Sequence, residues 1–171
     1  MSSLGLATLT LATWLSFLQQ PLEELPKLAV LEPQMLVVMD PKLMVIDQAV
    51  SLLGSPYRLG GSDPKVGIDC SHFVRKAYAA IGIELPQSAA MQIHVGSEID
   101  KDEIQPGDLV FFKNTYKKGI SHVGIALGAD RFVHAASRKH GVIISSLDDS
   151  YFKVRYAGAR RVSVAEKIAA Q

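Results

Sequence analysis

One cysteine, Cys70, stands among 171 residues. A single thiol excludes an intramolecular disulfide framework and the paired ligands of a zinc ribbon, so the thiol has to be explained on its own. Charge of one sign is equally scarce, with 18 Lys and Arg against 17 Asp and Glu leaving a formal +1. That balance is too small for the field that nucleic acid or an anionic lipid surface requires, so no nucleic-acid partner is expected. No segment repeats itself, and a charged share of 20% is far from that of a disordered chain. What remains is an ordinary globular composition, 48% apolar, at a length that suits one hydrophobic core.

Charge is missing altogether from Met1 to Gln20, and the first charged residue is Glu23. Leu4, Leu11, Leu15 and Leu18 share one side of a helix with Trp14 and Phe17 beside them. Residues 4–18 thus offer a membrane contact, a helix docked on the domain, or an atypical export signal. A secretory signal begins with positive charge and ends in a small-residue cleavage site, and neither pattern is present. Pro21, Pro26, Pro33 and Pro41 then mark a connector. The chain divides on this reading into an apolar helix with connector over 1–41, a domain over 42–165 and a tail over 166–171.

Leu43, Ile46, Val50 and Leu53 recur at helical spacing before Gly54, which predicts a helix over 42–53. The turn-rich run Ser55 to Pro64 reads as a loop. Phe73, Val74, Ala77, Tyr78 and Ile81 give a second helix, stopped by Gly82 and capped by Asp69, with Cys70 in its first turn. Gln105 to Asp108 signals a turn, and strands follow over 109–112, 122–127, 131–136 and 142–145. Helices first and antiparallel strands later predict an α+β domain, with N-terminal helices packed on a central antiparallel sheet.

The reactive form of cysteine is the thiolate, and a helix N-terminus is expected to lower the thiol pKa. A free cysteine is as often a small buried apolar group, and local features leave the two readings level. A nucleophile of this kind needs a base, usually His. Five histidines are present, at 72, 94, 122, 134 and 140. If Gly128-Ala129-Asp130 forms the turn and Leu127 pairs with Arg131, residue 124 lies opposite 134, and His122 and His134 become diagonal neighbours on one face. Gly124 and Ala126 leave space on that face, and Val123, Ile125, Leu127, Val133 and Ala135 line the other as core. His134 then either orients the His122 ring or is simply a hydrogen-bonded histidine of the sheet. A zinc site from Cys70, His122 and His134 is a further reading, although it lacks the short paired spacing of zinc motifs.

The stretch from Leu53 to Val162 resembles the NlpC/P60 family of cell-wall cysteine peptidases, a compact branch of the papain-like hydrolases. Gly54 to Gly61 resembles its G-x-P-Y-x-x-G-G loop, Asp69-Cys70-Ser71 its nucleophile turn, and Gln105 to Phe112 its central strand. Ser121 to Ile125 resembles its base strand, Phe132 to Ala135 the strand of the third polar residue, and Tyr156 to Arg161 the close of its domain. The resemblance implies Cys70 as nucleophile, His122 as base, His134 as orienter and Tyr57 near the thiol. It also implies a substrate-binding surface from Asp69, Ser71, Ser121 and Gly61, and no metal or organic cofactor. Family members commonly cut between γ-D-glutamyl and a diamino acid in peptidoglycan stem peptides, which implies a place in the cell envelope. His72 departs from a usual Gly, Phe73 from a common Leu, Leu59 from a common Trp and Gln87 from a frequent Arg, so substrate preference is left open. Other readings are a cysteine amidase, acyl hydrolase or acyltransferase on another substrate such as lipid, and a non-catalytic wall-binding module. The sequence names no inhibitor or immunity protein that would restrain such an enzyme.

Overall fold

A computed structural model describes residues 40–162. The expectations for residues 1–39, the apolar helix with its membrane contact or export role and most of the connector, lie outside these residues, as does the tail. Helix α1 spans Pro41–Ser51. It begins one residue before the expected start because Asp40 caps it, accepting the Lys42 N–H at 2.9 Å, and Pro41 suits the first helical position. Two short strands, β1 (Ser62–Asp63) and β2 (Gly67–Ile68), form a hairpin inside the expected loop. Helix α2 runs Cys70–Ala79, capped by Asp69, and buries Phe73, Val74, Ala77 and Tyr78. The short α3 (Ala89–Gln92) and β3 (Ser97–Ile99) follow. Then come β4 (Leu109–Lys113), β5 (Ile120–Gly128), β6 (Arg131–Ser137), β7 (Gly141–Ser146), α4 (Ser150–Lys153) and β8 (Tyr156–Arg161).

Six strands form one antiparallel sheet in the order β3-β8-β4-β5-β6-β7. The expected α+β architecture is the one observed. One face carries Leu109, Phe111, Val123, Ile125, Val133, Ala135 and Val142 against α1 and α2. The other carries Val110, Phe112, Ala126, Phe132 and Ala159, with Leu147 and Phe152 closing over them. Leu109 to Phe112 are therefore buried on both sides, which is why β4 reads as an unbroken apolar run. At the sheet's end Asp108, 1% exposed, takes a bidentate pair from Arg161 at 2.9 and 2.8 Å, tying the turn before β4 to the last strand.

The β5–β6 hairpin differs from the expected turn. Gly128, not Leu127, pairs with Arg131, and the loop has two residues, Ala129 and Asp130, with φ of 48° and 57°. Positive φ at both positions gives the turn whose twist matches that of the strands. Leu127 is the extra residue of a bulge, so beyond it Ala126 pairs with Phe132 and Ile125 with Val133. The bulge preserves the parity that a shorter turn alone would have reversed. Nor is the space at Gly124 empty. The edge of the Phe132 ring lies 2.7 Å from where a Cβ would stand.

Candidate active site

Three segments converge around Cys70. The loop after α1 is pinned at both ends. Gly54 N–H donates to Val142 O and Val142 N–H to Ser55 O, each at 2.9 Å, while Tyr57 bridges to Ile68. Tyr57 is thereby set beside the α2 N-terminus, close enough to feel the charges of Cys70 and Asp69. From β5, the N–H of Val123 lies near enough to the Cys70 sulfur to favour its thiolate, so the strand carrying His122 borders the nucleophile turn. The third segment, the 113–120 loop, brings Tyr116 within reach of the same charges.

The two histidines meet as the register requires. Nε2 of His122 lies 2.7 Å from Nδ1 of His134, with the rings edge to face at 87°. Nε2 of His134 lies 2.9 Å from the Ser145 hydroxyl. With Nε2 engaged, Nδ1 is the other ring nitrogen of His122. Nε2 of His122 and Nδ1 of His134 face each other instead of a shared ion, and among the described residues no cluster of three His, Cys, Asp or Glu has metal-holding geometry.

Burial governs the protonation of this group. It pushes the Cys70 thiol up to about 12, assisted by the neighbouring Asp69 charge and opposed by the N–H groups of Val123, Ser71 and Cys70. The expected lowering by the helix N-terminus is present but outweighed, because Cys70 is only 3% exposed. Burial likewise holds the His122 imidazole down at about 4, with Asp69 pulling the other way, and holds His134 well below 6.5. Burial thus favours the neutral thiol and the neutral imidazoles. Burial and the same neighbouring charges take the Tyr57 hydroxyl to about 12, so it stays a donor.

The four residues expected to bind substrate all have partners within the chain. Burial acts to raise the Asp69 carboxyl, but hydrogen bonds from the His72 N–H, the His72 ring and the Ser71 hydroxyl hold it below its ordinary value. Its second oxygen accepts the Gly60 N–H at 3.0 Å. The Ser121 hydroxyl accepts the Thr115 N–H at 2.9 Å and closes the 113–120 loop. Gly61 donates to Arg58 O and accepts from Asp69 N–H, and a Cβ there would stand 2.2 Å from Gly67 O. These residues build the nucleophile turn and the loops around it. His72 folds its ring back 3.0 Å onto Asp69, which removes it from the path to the thiol.

The open space lies on the histidine side. A cleft of about 580 Å³ is lined by His122 and His134 together with Tyr57, Tyr116, Arg138, Asp149, Tyr151 and others. Of these, Ser145, Tyr116, Arg138, Asp149 and Tyr151 escaped the sequence reading. For Ser145 a signal existed, because His134 pairs with Ile143, so Ser145 falls on the same face of the next strand. Tyr116 and Arg138 sit on loops, and Asp149 and Tyr151 at the start of the short α4, whose return to the site no periodicity encodes.

Comparison with known proteins places this arrangement. A Bacillus subtilis protein named gamma-DL-glutamyl hydrolase is 48% identical over 118 residues, 68% of this chain and 28% of that protein. The Escherichia coli K12 protein named murein DD-endopeptidase MepS/murein LD-carboxypeptidase is 44% identical over 126 residues, 72% of this chain and 64% of that protein. The chain therefore spans from about a quarter to just under two-thirds of these relatives. Among solved structures, the NlpC/p60 domain of the peptidoglycan hydrolase SagA superposes with a TM-score of 0.62 at 30% identity, covering 71% of this chain and 98% of that domain. The model of the NlpC/P60 family matches residues 54–161, from a glycine shortly after the first helix to the arginine at the end of the last strand, and the chain belongs to that family.

Proposed function

We propose that this protein is a peptidoglycan hydrolase of the cell envelope that cuts stem peptides, at the bond between γ-D-glutamyl and a diamino acid, through Cys70, His122 and His134. The observation that carries the reading is the His122 ring, held through Nε2 by His134 at 2.7 Å and backed by Ser145, on the strand whose next N–H lies near the Cys70 sulfur. For Nδ1 of His122 to act as base it must be unprotonated, so Nε2 carries the hydrogen and donates to Nδ1 of His134. His134 then donates from its own Nε2 to the Ser145 hydroxyl. The Ser145 hydroxyl can accept at the end of this chain, so the three groups are compatible with the tautomer that the base requires.

In the reaction the Cys70 sulfur attacks the γ-carbonyl carbon while Nδ1 of His122 takes the thiol proton. Neither charge is stable alone in this buried setting, but formed together they stabilise each other. The Cys70 N–H at the helix N-terminus and the Tyr57 hydroxyl are donors for the oxyanion. His122 returns the proton to the leaving amine, and a water activated by the same ring then hydrolyses the thioester. The named activity of the 48% identical relative supports the choice of a γ-glutamyl bond.

Digestion of purified sacculi with wild type and Cys70→Ala, followed by mass spectrometry of the muropeptides, tests this. Wild type is expected to release fragments ending at γ-D-glutamate, and the variant none. Equal release by both removes the enzyme reading, and fragments cut only at peptide cross-links move the activity to the bond named for the Escherichia coli relative.

A further inference from the structure

The cleft of about 580 Å³ opens on the histidine side of the sulfur. Since His122 must hand its proton to the leaving amine, the residue that bears this amine occupies the same side of the cleft. In the proposed reaction, on which this inference rests, that residue is the diamino acid. The walls suit its side chain, with Tyr57, Tyr116, Tyr151 and Ile143 offering apolar surface to an alkyl chain.

Two charges of opposite sign line this cleft. Arg138, exposed on the β6–β7 turn, has no carboxylate partner among the described residues, and it lies near enough to Tyr57 to act on its hydroxyl. Asp149 uses Oδ1 to cap α4, accepting the Tyr151 N–H at 2.8 Å, and has no cation paired with it among the described residues. The ion pairs that form among the described residues are at Asp69, Glu98 and Asp108, none of which lines this cleft. An unmatched cation and an unmatched anion in one aromatic-walled cleft are complementary to a zwitterion.

We infer that Arg138 and Asp149 bind the zwitterionic end of the diamino acid side chain, Arg138 taking its carboxylate and Asp149 its ammonium. This makes Arg138 the residue that tells a diamino acid ending in both groups from lysine, which ends in an ammonium alone. A charge-assisted contact at a partly exposed site supports discrimination of about tenfold.

The test uses the full chain and two peptides, L-Ala-γ-D-Glu-2,6-diaminopimelate and L-Ala-γ-D-Glu-lysine, both amidated at the backbone carboxyl of the third residue. Wild type is expected to favour the first by about tenfold in kcat/KM. Arg138→Gln should bring that ratio to about one. Asp149→Asn keeps the helix cap, because the Asn side-chain oxygen accepts the same N–H, and should weaken both peptides alike without changing the ratio. A wild-type ratio near one, or an Arg138→Gln variant that keeps the preference, overturns the inference and leaves the proposed hydrolase standing. Cleavage of neither peptide by wild type overturns both.

Discussion

At the scale of single residues, the site depends on which nitrogen of which ring holds a hydrogen. Ser145 lies two hydrogen bonds from the chemistry, yet its hydroxyl holds the His134 ring that in turn holds His122. Ser145→Ala removes one hydrogen bond of about 1.5 kcal/mol. We expect kcat on stem peptides to fall by about tenfold with KM little changed, because the lost bond matters most once the His122 ring is charged. An unchanged kcat in steady-state assays would show that His134 needs no such support. Cys70, His122, His134 and Tyr57 could be singled out from the sequence because each sits in a short motif. The same motifs named Asp69, Ser71, Ser121 and Gly61 for substrate. A residue beside a nucleophile can equally serve to build the turn, and sequence alone does not separate the two uses. Here all four are engaged within the chain.

At the scale of elements, the β5–β6 hairpin decides whether the two histidines meet. Alternation along each strand was legible, and the bulge at Leu127 was not, because a bulge depends on the turn conformation chosen by Ala129 and Asp130. The expected parity therefore holds through a turn of a different length. The strands β3 and β8 also escaped explicit assignment. Ser97 to Ile99 is too short to carry a pattern, and Tyr156 to Arg161 is half-buried along most of its length. Gly124 is the point at which this hairpin is most sensitive. A Cβ there would stand 2.7 Å from the Phe132 ring and 2.9 Å from Val133 O, and the second atom is backbone and cannot swing away. Gly124→Ala should destabilise the domain by about 1–3 kcal/mol, read as a lower urea midpoint at unchanged m-value. A midpoint equal to wild type would mean that the β5–β6 spacing is looser than described.

At the scale of the whole molecule, burying neutral histidines links stability to pH. His122 titrates at about 4 in the fold against 6.5 for a free ring. Between those values the unfolded chain holds the extra proton, so stability falls as pH drops through the window and is unaffected by this group above it. The depression corresponds to about 3 kcal/mol, and His134, shifted in the same direction, adds to it. Chemical denaturation across pH 7 to 4 should show this loss, and His122→Gln should flatten the slope. An equally steep slope in the variant would place the acid sensitivity elsewhere. The buried Asp108–Arg161 pair joins the turn before β4 to the last strand, so the sheet that carries the histidines is closed at the end remote from the cleft.

These scales meet in the claim that His122 is what makes a deeply buried thiol reactive. Burial, assisted by the Asp69 charge, sends Cys70 to about 12, where almost no thiolate exists at neutral pH. The direct measurement is the rate of Cys70 alkylation by a small iodoacetamide probe at pH 7, in wild type and in His122→Ala. The account predicts labelling of wild type at least about tenfold faster, since only there does the thiol have a base to receive its proton. Equal rates in the two proteins would contradict it.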